Sequence, residues 1–231
     1  MDLFKHTLYI NLEHRIDRNE RVLKEFEKLG IQTYERFPAI KTTNGSIGCT
    51  LSHIKCVELA KSRGYEHVFI CEDDITFTNP TLFINNATKF AQLKMEWDVI
   101  IVGGNNCPPY QPINDVCIRT FNIQTTTGYI VQQRYYDILI HNFKEGLGKL
   151  IREPNKKNQF AIDIYWKSLQ QSGVWVMIIP PTVTQYSDYS DIEDRVVDYG
   201  TMMLDLDKKA LMDYYKRLNE EEKKRKLSMK L

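Results

Sequence analysis

The sequence predicts an α/β domain built on a mostly parallel central sheet, and three observations carry that prediction. Short β-type apolar runs alternate with segments of helical spacing along most of the chain. Several of those runs are continuously apolar, the pattern of strands buried on both faces. The 231 residues, 42% of them hydrophobic, supply material for one continuous core.

Thr7 to Asn11 reads as the first strand. Asp17 then opens a capping-box pattern with Glu20; Val22, Leu23, Phe26 and Leu29 follow at helical spacing, and Gly30 supplies the stop. A second helix is predicted from Thr50 to Ser62, with Leu51, Ile54, Val57 and Ala60 on one side and Gly64 after its end. His67 to Cys71 is an apolar run ahead of three acids and reads as a buried strand. Asn79-Pro80 marks a helix start with proline in the first turn. Asp98 to Val102 is another buried strand, ended by Gly103-Gly104, and the Pro-, Asn- and Gln-rich stretch from Asn105 to Asn114 reads as a surface loop. Gly128 to Val131 is a short strand, Ile162 to Gln171 a helix and Trp175 to Ile179 a strand. Residues 1–204 are therefore assigned to one catalytic-type domain and residues 205–231 to a polar, basic helical tail.

Charge excludes some functions. With 31 basic and 30 acidic residues the chain lacks the basic surplus of a nucleic-acid binder, and no nucleic-acid partner is expected. No apolar stretch approaches the length that spans a bilayer. Five cysteines without a C-x-x-C pair point to reduced thiols in a cytoplasmic compartment, and the Lys-, Asn- and Ile-rich composition points to an AT-rich bacterial or large-virus genome. G-x-G-x-x-G, P-loop and G-x-S-x-G patterns are absent, as is any His-x-Asp or His-x-Glu pair.

The most informative local feature is Glu72-Asp73-Asp74, directly after a buried strand. Three adjacent carboxylates repel one another, and the carboxyl edge of an α/β sheet is where ligands bind. Alternation along an extended backbone lets Glu72 and Asp74 face the same way, with Asp73 opposite. A hard divalent ion, Mn²⁺ or Mg²⁺, suits such oxygens; a solvated acidic turn, or pairing with Lys or Arg, is the other reading.

Taken together, several blocks resemble glycosyltransferase family 25, which includes bacterial lipooligosaccharide galactosyltransferases and collagen hydroxylysine galactosyltransferases. They are Ile10-Asn11-Leu12 with Arg15 and Arg18, Pro38-Ala39-Ile40, Ile47-Gly48-Cys49-Thr50-Leu51-Ser52-His53, and Cys71-Glu72-Asp73-Asp74-Ile75. Trp97 to Ile100, Gly128 to Val131, Asp163, Pro180 to Gln185 and Ser190-Asp191-Ile192 follow in order, so the resemblance spans residues 7 to 192. It implies a GT-A fold, inversion at the anomeric carbon, a UDP-sugar donor and a Mn²⁺ or Mg²⁺ ion at the acidic motif. Glu72 and Asp74 would hold the metal, with Asp188 or Asp191 as a third ligand or a diphosphate contact. Asn11, Arg15, Arg18, Ala39, Ile40, Ser52, His53 and Asp73 would bind the donor, the arginines at its diphosphate and Ala39 and Ile40 along its base.

Asp163 is the expected general base, apart from the metal-bound acids and at the opening of a helix, where it could equally serve as a cap. The implied activity is transfer of galactose or glucose to a hydroxyl of a glycan, lipid-linked or protein-linked acceptor. A catalytically idle sugar-nucleotide-binding or scaffold protein of the same fold is the alternative. The basic residues Lys223 to Lys226, beside Leu227, Met229 and Leu231, are a candidate for peripheral contact with an anionic membrane, a solvated terminal helix being the other reading.

Overall fold

The protein is described here by a computed structural model covering residues 2–209 and 211–218. The chain alternates between strands and helices: β1 (Thr7–Asn11), α1 (Ile16–Leu29), β2 (Tyr34–Pro38), α2 (Gly45–Ser62) and β3 (His67–Glu72). There follow β4 (Ile75–Phe77), α3 (Pro80–Gln92), β5 (Val99–Asn106), β6 (Tyr110–Pro112), β7 (Cys117–Thr120), β8 (Ile123–Gln132) and α4 (Tyr136–Arg152). The last part holds the short helices α5 (Lys157–Phe160), α6 (Ile162–Tyr165) and α7 (Lys167–Gln170), then β9 (Trp175–Ile178), β10 (Val183–Gln185), β11 (Asp188–Ser190), β12 (Arg195–Val197) and α8 (Gly200–Leu204).

The α/β class is as expected. Eight strands form one sheet in the order β2-β1-β3-β8-β5-β9-β7-β6. Strands β2, β1, β3, β5, β9 and β6 run in one direction, while β8 and β7 run against them, so the sheet is mixed within a mostly parallel frame. Side-chain alternation divides the core between its two faces. Leu8, Ile10, Val68, Ile70, Val99 and Ile101 pack with Ile54 and Val57 of α2 and with Leu139 and Phe143 of α4. Tyr9, Phe69, Cys71, Ile100 and Val102 point the other way, against Val22 and Phe26 of α1 and Phe83 and Phe90 of α3. Burial on both faces is why these strands read as continuous apolar runs.

Several boundaries differ from the sequence expectation. The residue capping α1 is Arg15, without a side-chain cap; Asp17 lies inside the first turn, where its carboxylate takes a hydrogen bond from Arg15. Gly30 does close α1, in the left-handed conformation at φ 67°. Helix α2 begins at Gly45, five residues before the predicted start, because the Asn44 side chain accepts from the amides of Ser46 and Ile47. Strand β5 continues through Gly103-Gly104 to a buried Asn106, so part of the predicted surface loop is sheet. Those glycines serve close packing: a Cβ at Gly103 would lie 2.8 Å from Val183, and one at Gly104 2.8 Å from Ile101. Helix α4 has no predicted counterpart, although Tyr136, Leu139, Phe143, Leu147 and Leu150 are buried at helical spacing. The single helix predicted over residues 162–171 is two short ones, α6 and α7. The basic run from Lys223 to Lys226 lies outside the described residues, among which no helix is long and apolar enough to cross a membrane.

Candidate active site

Strand β1 is flanked by β2 on one side and β3 on the other. The units β1-α1-β2 and β2-α2-β3 therefore diverge across the sheet, with α1 and α2 on opposite faces. A crevice opens outside the carboxyl ends of β1 and β3, the position where open α/β sheets bind ligands. Asn11 is the last residue of β1 and Glu72 the last of β3. The crevice has a volume of about 500 Å³ and is lined by Arg15, Arg18, Ala39, Ile40, Ser52, His53, Glu72, Asp73, Asp74, Asp163 and Asp191. A cavity of that size is within the usual range for small-molecule sites.

The three acids diverge from the strand end. Glu72 turns toward α2 and β8, where its Oε1 accepts from Thr126 Oγ1 at 2.5 Å and meets His53 Nε2 at 3.3 Å. Asp73 turns toward β1 and α1, accepting from Asn11 Nδ2 at 2.7 Å and from Arg18 at 3.1 Å. Asp74 has one oxygen 3.5 Å from Arg18, and its Oδ1 is buried without a hydrogen-bond partner. Burial, then repulsion by Glu72 and Asp73, pushes the Asp74 carboxyl well above the ordinary carboxylate range against the pull of Arg18. Burial also raises Asp73, despite Arg18 and Asn11. At Glu72 burial acts in the raising direction, but the His53 and Thr126 hydrogen bonds and the Arg18 charge outweigh it, and the net shift is downward.

Arg15 and Arg18 are engaged with the β11 hairpin. Arg15 donates to Asp188 and Asp191, each at 2.9 Å, and Arg18 donates to the Tyr189 carbonyl at 2.8 Å. Arg21, one helical turn beyond Arg18, also reaches Asp188, at 3.3 Å, while its guanidinium lies 3.7 Å over the Tyr186 ring. Asp188 and Asp191 therefore stand against arginines in this structure and do not present open carboxylates beside Asp74. Their charge is balanced by guanidinium groups here, and a metal-ligand role for either would require those pairs to open. The same pairs hold the hairpin over the mouth of the crevice.

Other motif residues act on the backbone. Ser52 Oγ accepts from the Ile40 amide at 2.8 Å and donates to the Gly48 carbonyl at 2.8 Å, and the Ala39 amide donates to Asn11 O. The backbone donors of Ala39 and Ile40 are thus consumed within the protein, and both residues line the crevice. Gly48 permits this approach: a Cβ there would lie 2.4 Å from the Ile40 carbonyl oxygen. His53 is fully buried, with Nδ1 3.1 Å from Tyr129 Oη.

Asp163 lies in the first turn of α6, whose cap residue is Ala161. Its Oδ2 accepts from the Thr125 amide of β8 at 3.1 Å, so it ties helix to sheet and does not cap α6. Thr125 holds that amide in place at φ +71°, a left-handed conformation that β-branched residues rarely adopt. Burial, followed by repulsion from Glu72, raises the Asp163 carboxyl above its ordinary range, and the Thr125 hydrogen bond opposes the shift.

Thr126, on the polar rim of threonines that precedes Gly128, reaches Glu72 from β8; Arg21, Lys157 and Tyr199, which reach the site from α1, α5 and the segment before α8, were not legible as site residues. For Arg21 a helical period beyond Arg18 was the available signal. The others lie far apart in the chain and have no local pattern. The cleft is lined by the six acids Glu72, Asp73, Asp74, Asp163, Asp191 and Glu193 and by the four cations Arg15, Arg18, Lys41 and Lys157. Subtracting four positive charges from six negative ones leaves an excess of two. With the unpartnered Asp74 Oδ1 and oxygen donors on adjacent residues, that excess fits a hard divalent ion.

Comparison with known proteins bears on this arrangement. The family model for glycosyltransferase family 25 (LPS biosynthesis protein) matches residues 41–149, which contain the α2 motif and the three acids. A "Glycosyltransferase 25 family member" from Anopheles gambiae is 27% identical over 190 residues, covering 69% of this chain and 31% of that relative. The chain thus spans about a third of the length of the curated relative. Among solved structures, a glycosyltransferase involved in glycosylation of the major capsid of PBCV-1 is similar over 75% of this chain and 91% of its own, with TM-score 0.42 and 11% identity. A UDP-glucose pyrophosphorylase is similar over 75% and 72%, with TM-score 0.42 and 9% identity.

Proposed function

We propose that the chain is an inverting, metal-dependent hexosyltransferase of glycosyltransferase family 25, the family whose model matches residues 41–149. In this reading it moves galactose or glucose from a UDP-sugar to a hydroxyl of a glycan, lipid-linked or protein-linked acceptor. The observation that carries the reading is the convergence of Glu72, Asp74 and Asp163 with Arg15 and Arg18 in one crevice at the β1/β3 divergence.

Glu72 and Asp74 are the residues that would hold Mn²⁺ or Mg²⁺, which supplies charge neutralisation for the departing diphosphate. Asp73 is held by Asn11 and Arg18 and orients the Arg18 guanidinium toward the crevice. Arg15 and Arg18 receive the diphosphate once Asp188 and Asp191 yield their places, and the Ala39 and Ile40 segment, pinned by Ser52, flanks the uracil. Asp163 takes the proton of the acceptor hydroxyl through the oxygen that Thr125 leaves free. The acceptor oxygen then bonds to the anomeric carbon as the bond from that carbon to the phosphate oxygen breaks.

Thermal denaturation with UDP-galactose, with and without Mn²⁺, tests the reading. A donor at a hundred times its Kd stabilises the folded state by about 2.7 kcal/mol, and the shift should require the ion. Absence of any shift with UDP-, GDP-, CMP- and dTDP-sugars would refute donor binding; a UDP-sugar shift without transfer to any acceptor would leave an idle binding protein.

A further inference from the structure

We propose that Cys49, His53 and Glu72 form a second cation site, selective for a thiophilic divalent ion such as Zn²⁺, at the inner wall of the crevice. The site stands on its own geometry; it shares Glu72 with the metal-binding pair proposed above and His53 with the expected donor-binding residues.

One ligand atom from each of the three residues lies within 4.8 Å of the other two. His53 Nε2 and Glu72 Oε1 are 3.3 Å apart. Tetrahedral zinc, with bonds of about 2.0–2.2 Å to nitrogen and oxygen, requires a separation of about 3.3 Å between those ligands. With a zinc–sulfur bond of about 2.3 Å, the sulfur would sit about 3.5 Å from the nitrogen, within reach of a Cys49 sulfur that lies no more than 4.8 Å away. Cys49 and His53 are four residues apart on α2 and share one face of the helix.

The surrounding groups are those of a metal site. A ligating histidine usually has its second ring nitrogen fixed by a polar partner, and His53 Nδ1 meets the buried Tyr129 hydroxyl at 3.1 Å. In the free protein Nε2–H can donate to Glu72; on metal binding the ring proton would sit on Nδ1, donated to Tyr129 Oη, and free the Nε2 lone pair for the ion. Thr126 steadies the Glu72 carboxylate at 2.5 Å. All three residues line the crevice, which gives an ion and its remaining water ligand a route from solvent. A thiol is a poor ligand for Mg²⁺ and Mn²⁺ and a good one for Zn²⁺, which separates this site from the oxygen-only pair Glu72 and Asp74. The Cys49 thiol proton is released to solvent on binding. Because both sites draw on Glu72, a thiophilic ion would remove it from the donor side and inhibit transfer.

Cobalt(II) is the probe, since thiolate ligation produces a sulfur-to-cobalt charge-transfer band in the near ultraviolet. The protein without nucleotide sugar should develop that band, saturate at a single equivalent and lose the band to Zn²⁺. Cys49→Ser should abolish it, Cys107→Ser should retain it, and Tyr129→Phe should weaken cobalt binding by about 10–100-fold. Alkylation of the native protein gives a second measurement that does not depend on how the variants fold: Zn²⁺ should protect Cys49, as read by peptide mass spectrometry. No band, a band that survives Cys49→Ser, or no protection of Cys49 would overturn the proposal. The band is read without a donor, so its failure leaves the glycosyltransferase reading intact, and failure of sugar transfer leaves the cobalt result intact.

Discussion

Replacement of Asp163 by asparagine separates catalysis from architecture at the residue proposed as the base. The side chain accepts from the Thr125 amide at 3.1 Å, and the amide oxygen of asparagine can accept that bond in the same place. The substitution removes a carboxylate that burial and Glu72 both disfavour, so the fold loses nothing and the melting temperature should stay level or rise. The proton acceptor is what disappears. General-base contributions of about 10²- to 10⁴-fold correspond to about 2.7–5.4 kcal/mol of barrier. Initial rates of galactose transfer at saturating UDP-galactose should therefore fall by at least about two orders of magnitude, while calorimetry shows unchanged donor affinity. The pH profile supplies an independent check. The base works only when ionised, and its carboxyl is raised in the folded protein, so the acid limb of the rate should lie above the ordinary aspartate range. Transfer by Asp163→Asn within tenfold of wild type, or a loss of rate matched by a loss of donor binding, would refute the assignment.

Three further outcomes follow from the same geometry. Asp74→Asn relieves the repulsion among the three acids and should raise the melting temperature in chelator, yet abolish the Mn²⁺-dependent gain of about 2.7 kcal/mol expected with excess UDP-galactose; retention of that gain would remove Asp74 from the metal site. Ser52→Ala leaves the Ile40 amide without its acceptor and should cost about 1–3 kcal/mol in urea unfolding, with weaker donor binding if the Ala39 and Ile40 segment lines the base. Gly48→Ala forces a methyl group to within 2.4 Å of the Ile40 carbonyl oxygen; overpacking should destabilise by about 1–3 kcal/mol, a loss that denaturant titration would detect.

Local chemistry determined much of this protein from the sequence alone. Continuous apolar runs identified β1, β3, β5 and β9 because strands covered on both faces need no polar side. Asn79-Pro80 marked the start of α3, Gly30 the end of α1, and the three acids after an apolar run marked the crevice, since each of these signals is complete within a few residues. Tertiary structure decided what distant pairing decides. Polar Tyr34 to Pro38 became a strand only by pairing with β1 at the sheet edge, and Asn105-Asn106 were buried only because β8 lies alongside them. Asp188 and Asp191 carry the right charge for a cation, but Arg15, on the far side of the chain, claimed both. The divergence of Glu72 from Asp73 shows the same division of causes. Strand β3 ends at Glu72 and the chain turns at Asp73, and the partners that await them, His53 and Thr126 on one side and Asn11 and Arg18 on the other, come from four separate elements that only the folded sheet brings together.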